Sequence, residues 1–302
     1  MSTKTKTKRK IKTSRGDRVF YTISYIIIGI LGLIVLYPMV YVVAASMSSA
    51  DALMSGKVWL WPVDISFEGY KAVFKSSDVW LGYANTIFYT VVGTIINVAI
   101  TLLCAYPLSR KELFGRNVIT FIFSFTMLFG GGLIPNYLLI KGLGILNTRW
   151  ALLLPGAMSI YNMIVCRTFI QTSIPTELLE SARLDGCDDI RYFFKIVLPL
   201  SKAIIAVLTL WYAVGHWNAY FNAFIYLNDR QLYPLQIFLR DILISNKMSA
   251  DLNDPELANQ LRTVQMTLKY ALIVVSTAPM FMFYPFTQKY FQKGVMVGSI
   301  KG

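Results

Sequence analysis

Charged residues are scarce in this sequence of 302 residues. They make up 15% of the chain, against about 25% in a typical soluble domain, while hydrophobic residues make up 55%. Because a chain of this composition cannot hide its apolar surface in one aqueous core, an ordinary soluble domain is excluded. The composition predicts an all-α integral membrane protein that crosses the lipid bilayer several times.

The usual sites of chemistry are missing as well. No G-x-x-x-x-G-K-[ST] motif is present, so the chain has no loop of its own to cradle ATP phosphates. Its three cysteines show neither disulfide nor metal spacing. Its one histidine, His216, follows a glycine and precedes Trp217, and we interpret it as a packed or pore-facing residue rather than a catalytic one. These absences predict that the chain is not an enzyme and binds no metal or cofactor itself.

The net charge of +13 is concentrated at the N-terminus, where residues 1–18 hold eight of the 29 Lys and Arg residues. A basic run just before an apolar span is typical of a segment retained in the cytoplasm, so we expect no nucleic-acid partner. The following apolar stretch, Phe20–Ala45, is far longer than the roughly 7–15 residues of a signal-peptide core. It therefore predicts a retained membrane helix.

Six apolar stretches are near the roughly 20 residues that a membrane helix needs. They are Phe20–Ala45, Leu81–Leu108, Val118–Ile140, Trp150–Ile170, Ala203–Leu227 and Val264–Gln288. An even number of spans and the distribution of Lys and Arg place both termini in the cytoplasm. The expected organisation is a basic tail (1–19), a six-helix domain (20–290) and a cytoplasmic C-terminal tail (291–302).

Glycine and proline interrupt several of these stretches, most clearly at Gly130-Gly131-Gly132. Two interpretations stay open for this triple glycine: a helix that breaks and re-enters the membrane, or close packing between helices. None of the six stretches contains an internal Asp or Glu. Ion-coupled carriers usually need such a carboxylate, so an ion-coupled carrier or channel is the less favoured alternative. A membrane enzyme lacks a supporting cluster of reactive residues.

The loop over residues 173–199 is charged although its surroundings are apolar. Ser173 is a candidate helix cap, Gly186 suits a left-handed turn that ends the first helix, and Asp188 or Asp189 suits the start of a second. An apolar stripe at helical spacing follows, formed by Ile190, Phe193, Phe194 and Val197. A loop lying on the membrane surface is the alternative, which the acidic residues oppose because anionic headgroups repel them.

The motif Glu180-Ser-Ala182-x-x-Asp185-Gly186-Cys187, followed by Ile196-x-Leu198-Pro199, resembles the EAA loop of ABC importer permeases. The stretch Asn147–Pro199, residues 217–222 and residues 290–302 resemble the carbohydrate-importing, MalG-like permeases, and among them LplC/YtcP-type subunits. The motif departs from the family pattern at Ser181 and Cys187, which keep the residues small, and at Ala203, where many members carry proline.

The resemblance implies a type I ABC importer permease fold with six transmembrane helices and a cytoplasmic EAA coupling loop. It implies a permease subunit of an ATP-driven importer for oligosaccharides in the bacterial cytoplasmic membrane. The implied partners are a second, different permease, two ATPase subunits that bind ATP and Mg, and an extracellular sugar-binding protein. The implied ATPase-coupling residues are Glu180, Ala182, Asp185 and Gly186, with Leu178, Phe193 and Phe194 as apolar anchors. The C-terminal tail either contacts the ATPases or is solvated.

The fifth apolar stretch contains amides and aromatic rings that a purely lipid-facing helix does not need. Unpaired amides are costly in lipid, so we expect them to face the interior of the helix bundle. In a continuous helix Asn218 and Asn222 share one face, and we predict that they line the substrate pathway, with Trp217 and Tyr220 beside them. Trp211 or Trp217 fits packing better than the pathway. Alternatively, the two asparagines bond across helices to the partner permease.

Overall fold

The computed structural model describes residues 14–248, 265–282 and 285, and its description of side chains omits 243–248. These residues form helices joined by short loops, with one isolated bridge between Ser48 and Ile65. The helices are α1 (Arg15–Ser46), α2 (Ala50–Met54), α3 (Glu68–Lys75), α4 (Ser77–Ser109), α5 (Arg116–Leu128), α6 (Leu133–Gly142), α7 (Trp150–Leu153), α8 (Ile160–Ser173), α9 (Thr176–Leu184), α10 (Asp189–Tyr192), α11 (Leu198–Leu200), α12 (Lys202–Asn218), α13 (Phe221–Tyr226), α14 (Leu235–Met248) and α15 (residues 265–282). The expected C-terminal tail, 291–302, lies outside the described residues.

Two described helices are long and apolar enough to cross a membrane alone, α1 with 32 residues and α4 with 33. α1 begins with a capping box, in which Ser14 and Asp17 bond each other's backbone amides. Its buried residues are Ala44, Ala45 and Ser46, all at its C-terminal end. The rest of its surface is apolar and exposed, which suits contact with lipid because its backbone groups are bonded internally.

Two further candidate spans are bent pairs of helices. α5 and α6 meet at 114° across the triple glycine, where Gly132 has φ +84°. The segment from Asp189 to Leu200 meets α12 at 78°, beside Ser201. The triple glycine therefore interrupts a helix, as the first of the two interpretations expects. Counting each bent pair as one span, the described residues hold up to four candidate spans, so the expected six remain a prediction.

Two more of the six apolar stretches are not single helices. Trp150–Ile170 is divided into α7 and α8 by residues 154–159, which include Pro155 and Gly156. The stretch Ala203–Leu227 is divided where α12 ends at Asn218 and α13 begins at Phe221. Apolar composition indicates that a stretch of chain lies in the membrane, but it does not indicate whether the helix is continuous.

α4 is the centre of the fold, since α3, α7, α8, α12 and α14 all pack against it. Two glycines permit close approach along its length. A Cβ at Gly82 would lie 2.9 Å from the Leu235 Cα of α14, and one at Gly93 would overlap the His216 ring of α12. The absence of side chains at these two positions sets how closely α12 and α14 approach α4.

The buried face of α4 is also polar, and its polar groups bond the loop that precedes α14. The Asn85 amide donates to the Gln231 carbonyl at 2.7 Å and to the Tyr233 carbonyl at 3.1 Å. The Thr86 hydroxyl accepts from the Leu235 amide at 2.9 Å. Backbone groups that leave a helix in a low-dielectric surrounding need such partners, and α4 supplies them.

Replacing Gly93 by alanine is expected to lower stability by about 1–3 kcal/mol, because the new methyl group overlaps the His216 ring. The measurement is the thermal unfolding midpoint of the purified chain in detergent. Gly215→Ala is the matched control, since a Cβ there meets nothing within 4 Å and alanine favours the helix. An equal loss of stability in both variants would contradict the close-approach argument.

Candidate functional site

The charged segment 173–199 folds as two short helices joined at Gly186. Gly186 has φ +72°, and its amide donates to the Arg183 carbonyl at 3.0 Å. Asp188 caps the second helix, its carboxylate accepting from the Arg191 amide at 2.6 Å. Both features confirm the sequence prediction. The predicted cap at Ser173 is wrong, because that residue ends α8, and Pro175 precedes α9 without a side-chain cap.

The second helix runs past Pro199, although a proline at that position is a candidate helix end. It continues to Leu200 through a wider i→i+5 turn over Phe193–Val197. Pro199 has no amide hydrogen, so it cannot bond the carbonyl four residues earlier, and the wider turn lies immediately before it. The chain then bends at Ser201 and enters α12.

The inner side of this segment belongs to the largest apolar core of the protein. That core joins α4, α8, α9, α12 and residues 192–197, and it includes Leu102, Met163, Leu179, Ala182, Tyr192, Phe193, Val197 and Leu208. Phe193 is 6% exposed, with its ring 5.0 Å from that of Tyr106. The prediction that Phe193 is an apolar anchor for a partner is therefore corrected: in this structure it is a packing residue. Ala182 likewise faces the core.

The outer side of the segment, which we call the coupling surface, combines acids with exposed apolar side chains. Its members are Leu178, Glu180, Leu184, Asp185, Gly186, Ile190 and Phe194. Leu178 is 41% exposed and Phe194 59%, so both predicted anchors are accessible. Leu184 and Ile190, at 89% and 72%, are accessible too. The sequence interpretation did not include Leu184 among the apolar anchors. Its position between Arg183 and Asp185 already indicated an apolar side chain on a charged surface.

One ion-pair group connects the coupling surface to the rest of the chain. The Arg183 guanidinium lies 3.0 Å from the Glu112 carboxylate, in the loop after α4, and 3.5 Å from the Asp189 carboxylate of α10. All three side chains are about half exposed, so these pairs orient α9 more than they stabilise the fold.

A second candidate region lies beside the break between α12 and α13. A cavity of about 220 Å³ is lined by Tyr89, Asn97, Gly156, Trp211, His216 and Asn222 among others. A second cavity of about 380 Å³ is lined by Asn136, Pro155, Gly156, Asn222 and Tyr226 among others. Because Gly156 and Asn222 line both cavities, we treat the two as one region and call it the amide groove.

Asn97 and His216 fix the wall of the amide groove. The Asn97 carbonyl oxygen lies 2.6 Å from His216 Nε2, and the Asn97 amide donates to the Gly156 carbonyl at 2.5 Å. With the amide nitrogen so used, the oxygen is the acceptor and His216 Nε2 the donor. His216 is thus both packed, against Gly93, and facing a cavity.

The four predicted pathway residues have different surroundings in the structure, and only one of them lines the amide groove. Asn222 lines both cavities, whereas the Asn218 amide bonds back to the Val214 carbonyl of its own helix at 2.9 Å. Trp217 is buried and donates to the Ser276 carbonyl at 2.9 Å, as a packing residue does. Tyr220 is 44% exposed at the helix break. The shared face expected for Asn218 and Asn222 is wrong because the helix ends between them.

The groove also contains polar residues that the sequence interpretation did not select, namely Tyr89, Asn97 and Asn136. Asn97 was detectable as a lone amide inside a long apolar helix, which usually faces the bundle interior. Asn136 follows Pro135 in the interrupted pair of α5 and α6. Among the described residues, no group of three or more His, Cys, Asp or Glu side chains is placed to hold a metal ion.

Comparisons of the sequence with known proteins agree on one family of membrane transport components. The profile of the family described as "Binding-protein-dependent transport system inner membrane component" matches residues 11–297. The Bacillus subtilis polygalacturonan/rhamnogalacturonan transport system permease protein YtcP is 42% identical over 287 residues, covering 95% of this chain and 99% of YtcP. Protein LplC of the same organism is 40% identical over 289 residues, covering 96% and 97%.

A solved structure shows the same fold. It is a chain from a crystal structure of a bacterial ABC transporter involved in the import of the acidic polysaccharide alginate. The TM-score is 0.84 at 37% sequence identity, and the match covers 93% of this chain and 100% of the other. These similarities confirm the resemblance that the sequence motifs indicated.

Replacing Asn97 by leucine is expected to cost about 1–3 kcal/mol, since the Gly156 carbonyl and the His216 ring nitrogen both lose their partner. Thr90→Val on the same helix is the control, because the buried Thr90 hydroxyl has no hydrogen-bond partner among the described residues. Thermal unfolding in detergent should separate the two variants. Equal midpoints would show that the Asn97 bonds contribute nothing to stability.

Proposed function

This chain belongs to the family of binding-protein-dependent transport system inner membrane components and is a permease subunit of a sugar-transporting ABC importer, and we propose how it works there. The chain is a transport component rather than an enzyme. In the proposal it forms half of a transmembrane pathway for oligosaccharides. A second, different permease forms the other half, two ATPase subunits hydrolyse ATP, and an extracellular binding protein delivers the sugar.

The proposed topology has six spans with both termini in the cytoplasm. α1, α4 and the two bent pairs supply up to four of these spans, and α8 and the helix containing residues 265–282 supply the others. The coupling surface then faces the cytoplasm, where the ATPases are. Basic residues near it, at Arg110, Lys111 and Arg116, support that orientation.

The observation that carries the mechanism is the position of the coupling surface on the largest core. Leu179 and Ala182 on the inner side of α9 pack in the same cluster as residues of α4, α8 and α12. Since packed interiors transmit displacement rather than absorb it, movement of the coupling surface by an ATPase moves these helices with it. The proposed contacts are the acids Glu180 and Asp185 and the apolar Leu178, Leu184, Ile190 and Phe194.

The proposed substrate contacts lie in the amide groove. Oligosaccharides combine flat apolar faces with many hydroxyl groups, so their sites need aromatic rings beside hydrogen-bonding groups. The groove provides Trp211 and Tyr89 beside Asn97 and Asn222. Two of the relatives carry names that mention polygalacturonan and alginate, so uronate oligosaccharides are the first substrates to test.

Gly186→Val tests the coupling mechanism. A β-branched residue in the left-handed region costs about 1–2 kcal/mol and should displace α9 relative to α10. We expect reconstituted complexes to assemble but to lose most ligand-stimulated ATP hydrolysis and uptake. Gly56→Val is the matched control, since Gly56 has φ +66°, has open space around it and lies in a distant loop. Full uptake by Gly186→Val would refute the mechanism.

Asn222→Ala and Asn218→Ala together test the pathway. Asn222 lines the groove and Asn218 bonds its own helix, so only Asn222→Ala should alter apparent affinity or selectivity for oligosaccharides. Loss of one hydrogen bond to a sugar hydroxyl corresponds to roughly a 3- to 10-fold change in apparent affinity. The measurement is uptake over a range of substrate concentrations. If Asn222→Ala changes only complex stability, the asparagine is a contact with the second permease instead.

A further inference from the structure

A cavity at the C-terminal end of α4 is lined by four basic side chains. Its volume is about 380 Å³, and it lies between the end of α4, the start of α5, the end of α8 and the start of α9. We call it the basic cavity; its polar lining includes Arg110, Lys111, Glu112, Arg116, Arg167 and Gln171. None of these residues belongs to the coupling surface or to the amide groove.

The positive charge of the basic cavity is not balanced by its own lining. Glu112 is the one acid among the lining residues, and Arg183, outside the cavity, already lies 3.0 Å from its carboxylate. Three half-buried arginines and the exposed Lys111 therefore line the cavity with one carboxylate that is already paired. Crowding like charges away from bulk water is unfavourable unless an anion compensates for it.

Two lining residues, Arg167 and Gln171, bond backbone carbonyls of α4, and Arg167 keeps further N–H donors free. The Arg167 Nε donates to the Leu108 carbonyl at 2.9 Å, and the Gln171 amide donates to the Ser109 carbonyl at 3.2 Å. These bonds satisfy carbonyls at the C-terminal end of α4, where no intrahelical partner exists. A guanidinium group has five N–H donors, so the cap uses only a fraction of those available.

Arg110 is a fixed cation in the wall of the basic cavity. Its buried Nη2 atom belongs to the same polar cluster as the buried hydroxyls of Tyr106 and Tyr192, which interact with the guanidinium. The Arg110 guanidinium lies between the rings of Tyr106 and Tyr192, 5.1 Å and 5.0 Å from their centres. The rings hold the group by cation–π attraction and keep its positive charge at the cavity wall.

Two helices also begin at the basic cavity. Arg116 is the first residue of α5, which has 13 residues, and Thr176 is the first of α9, which has nine. The N-terminal end of a helix carries unpaired amides and a partial positive charge, which favour an anion. The N-terminal ends of these two helices therefore add to the positive electrostatic potential that the arginines create in the cavity.

From these observations we propose that the basic cavity binds a phosphate group. Several guanidinium donors from different helices suit a tetrahedral oxyanion, and arginine binds phosphate oxygens in pairs. The group comes either from the headgroup of an anionic phospholipid or from a free phosphate compound. Phe114, 97% exposed in the same loop, favours the lipid, because an exposed apolar ring can be buried at the boundary between headgroups and acyl chains. A bound phosphate ties α4 and α8 to the first turn of α9.

The test uses the full-length chain purified in mild detergent. Its thermal midpoint is titrated with phosphatidylglycerol, with phosphatidylcholine and with inorganic pyrophosphate, and retained lipid is identified by native mass spectrometry. The variants are Arg110→Gln combined with Arg116→Gln, and Lys111→Glu alone in case the double variant fails to fold. Arg191→Gln removes one exposed positive charge outside the cavity and is the matched control.

We expect phosphatidylglycerol to stabilise the chain and phosphatidylcholine not to. Each lost positive charge should raise the half-saturating concentration about fivefold, and Arg191→Gln should leave it unchanged. Stabilisation by pyrophosphate as well would support the site with a free phosphate as its ligand. Absence of stabilisation by both anions, or an equal loss of binding in Arg191→Gln, would overturn the proposal and leave the arginines as caps of α4.

Discussion

α12 and α14 pack so closely against α4 that a Cβ atom at Gly82 or Gly93 would overlap them. Gly82 and Gly93 remove the side chains that would hold these helices away, and Asn85, Thr86 and Asn97 bond backbone groups that leave their helices. Lipid offers no hydrogen bonds, so an interrupted helix is stable only beside such a polar surface. α4 therefore supports the break at residues 154–159, which lines the amide groove, and the loop that precedes α14.

The same helix explains why a charged segment of short helices can transmit force. In its last two turns α4 places Leu102, Ala105 and Leu108 in the core that also contains Leu179 and Val197. One face of α9 is thereby fixed to the membrane helices while the other stays exposed. Its rigidity comes from the core, since the ion pairs of Arg183 are half exposed and contribute little.

The middle and the C-terminal end of α4 thus serve different chemistry. In the middle, the neutral amides Asn97 and Asn222 and the rings of Tyr89 and Trp211 offer hydrogen bonds and flat apolar surfaces to a sugar. At the C-terminal end, arginines first cap the helix and then leave donors over for an anion. Separating the basic groups from the groove keeps strong charges away from the proposed pathway, where they would bind a substrate too tightly or require desolvation.

The class of protein, the family, the long helices α1 and α4 and the turn at Gly186 follow from the amino-acid sequence, because they rest on composition, on short motifs or on local backbone geometry. The sequence interpretation named Phe193 and Phe194 alike, yet the core covers Phe193 and leaves Phe194 exposed. It paired Asn218 with Asn222, but a helix break separates them. It also gave no sign that Arg110, Arg116 and Arg167 line one cavity. These points depend on which side of a helix its neighbours cover and on where those neighbours allow the helix to break, so they require the packed fold.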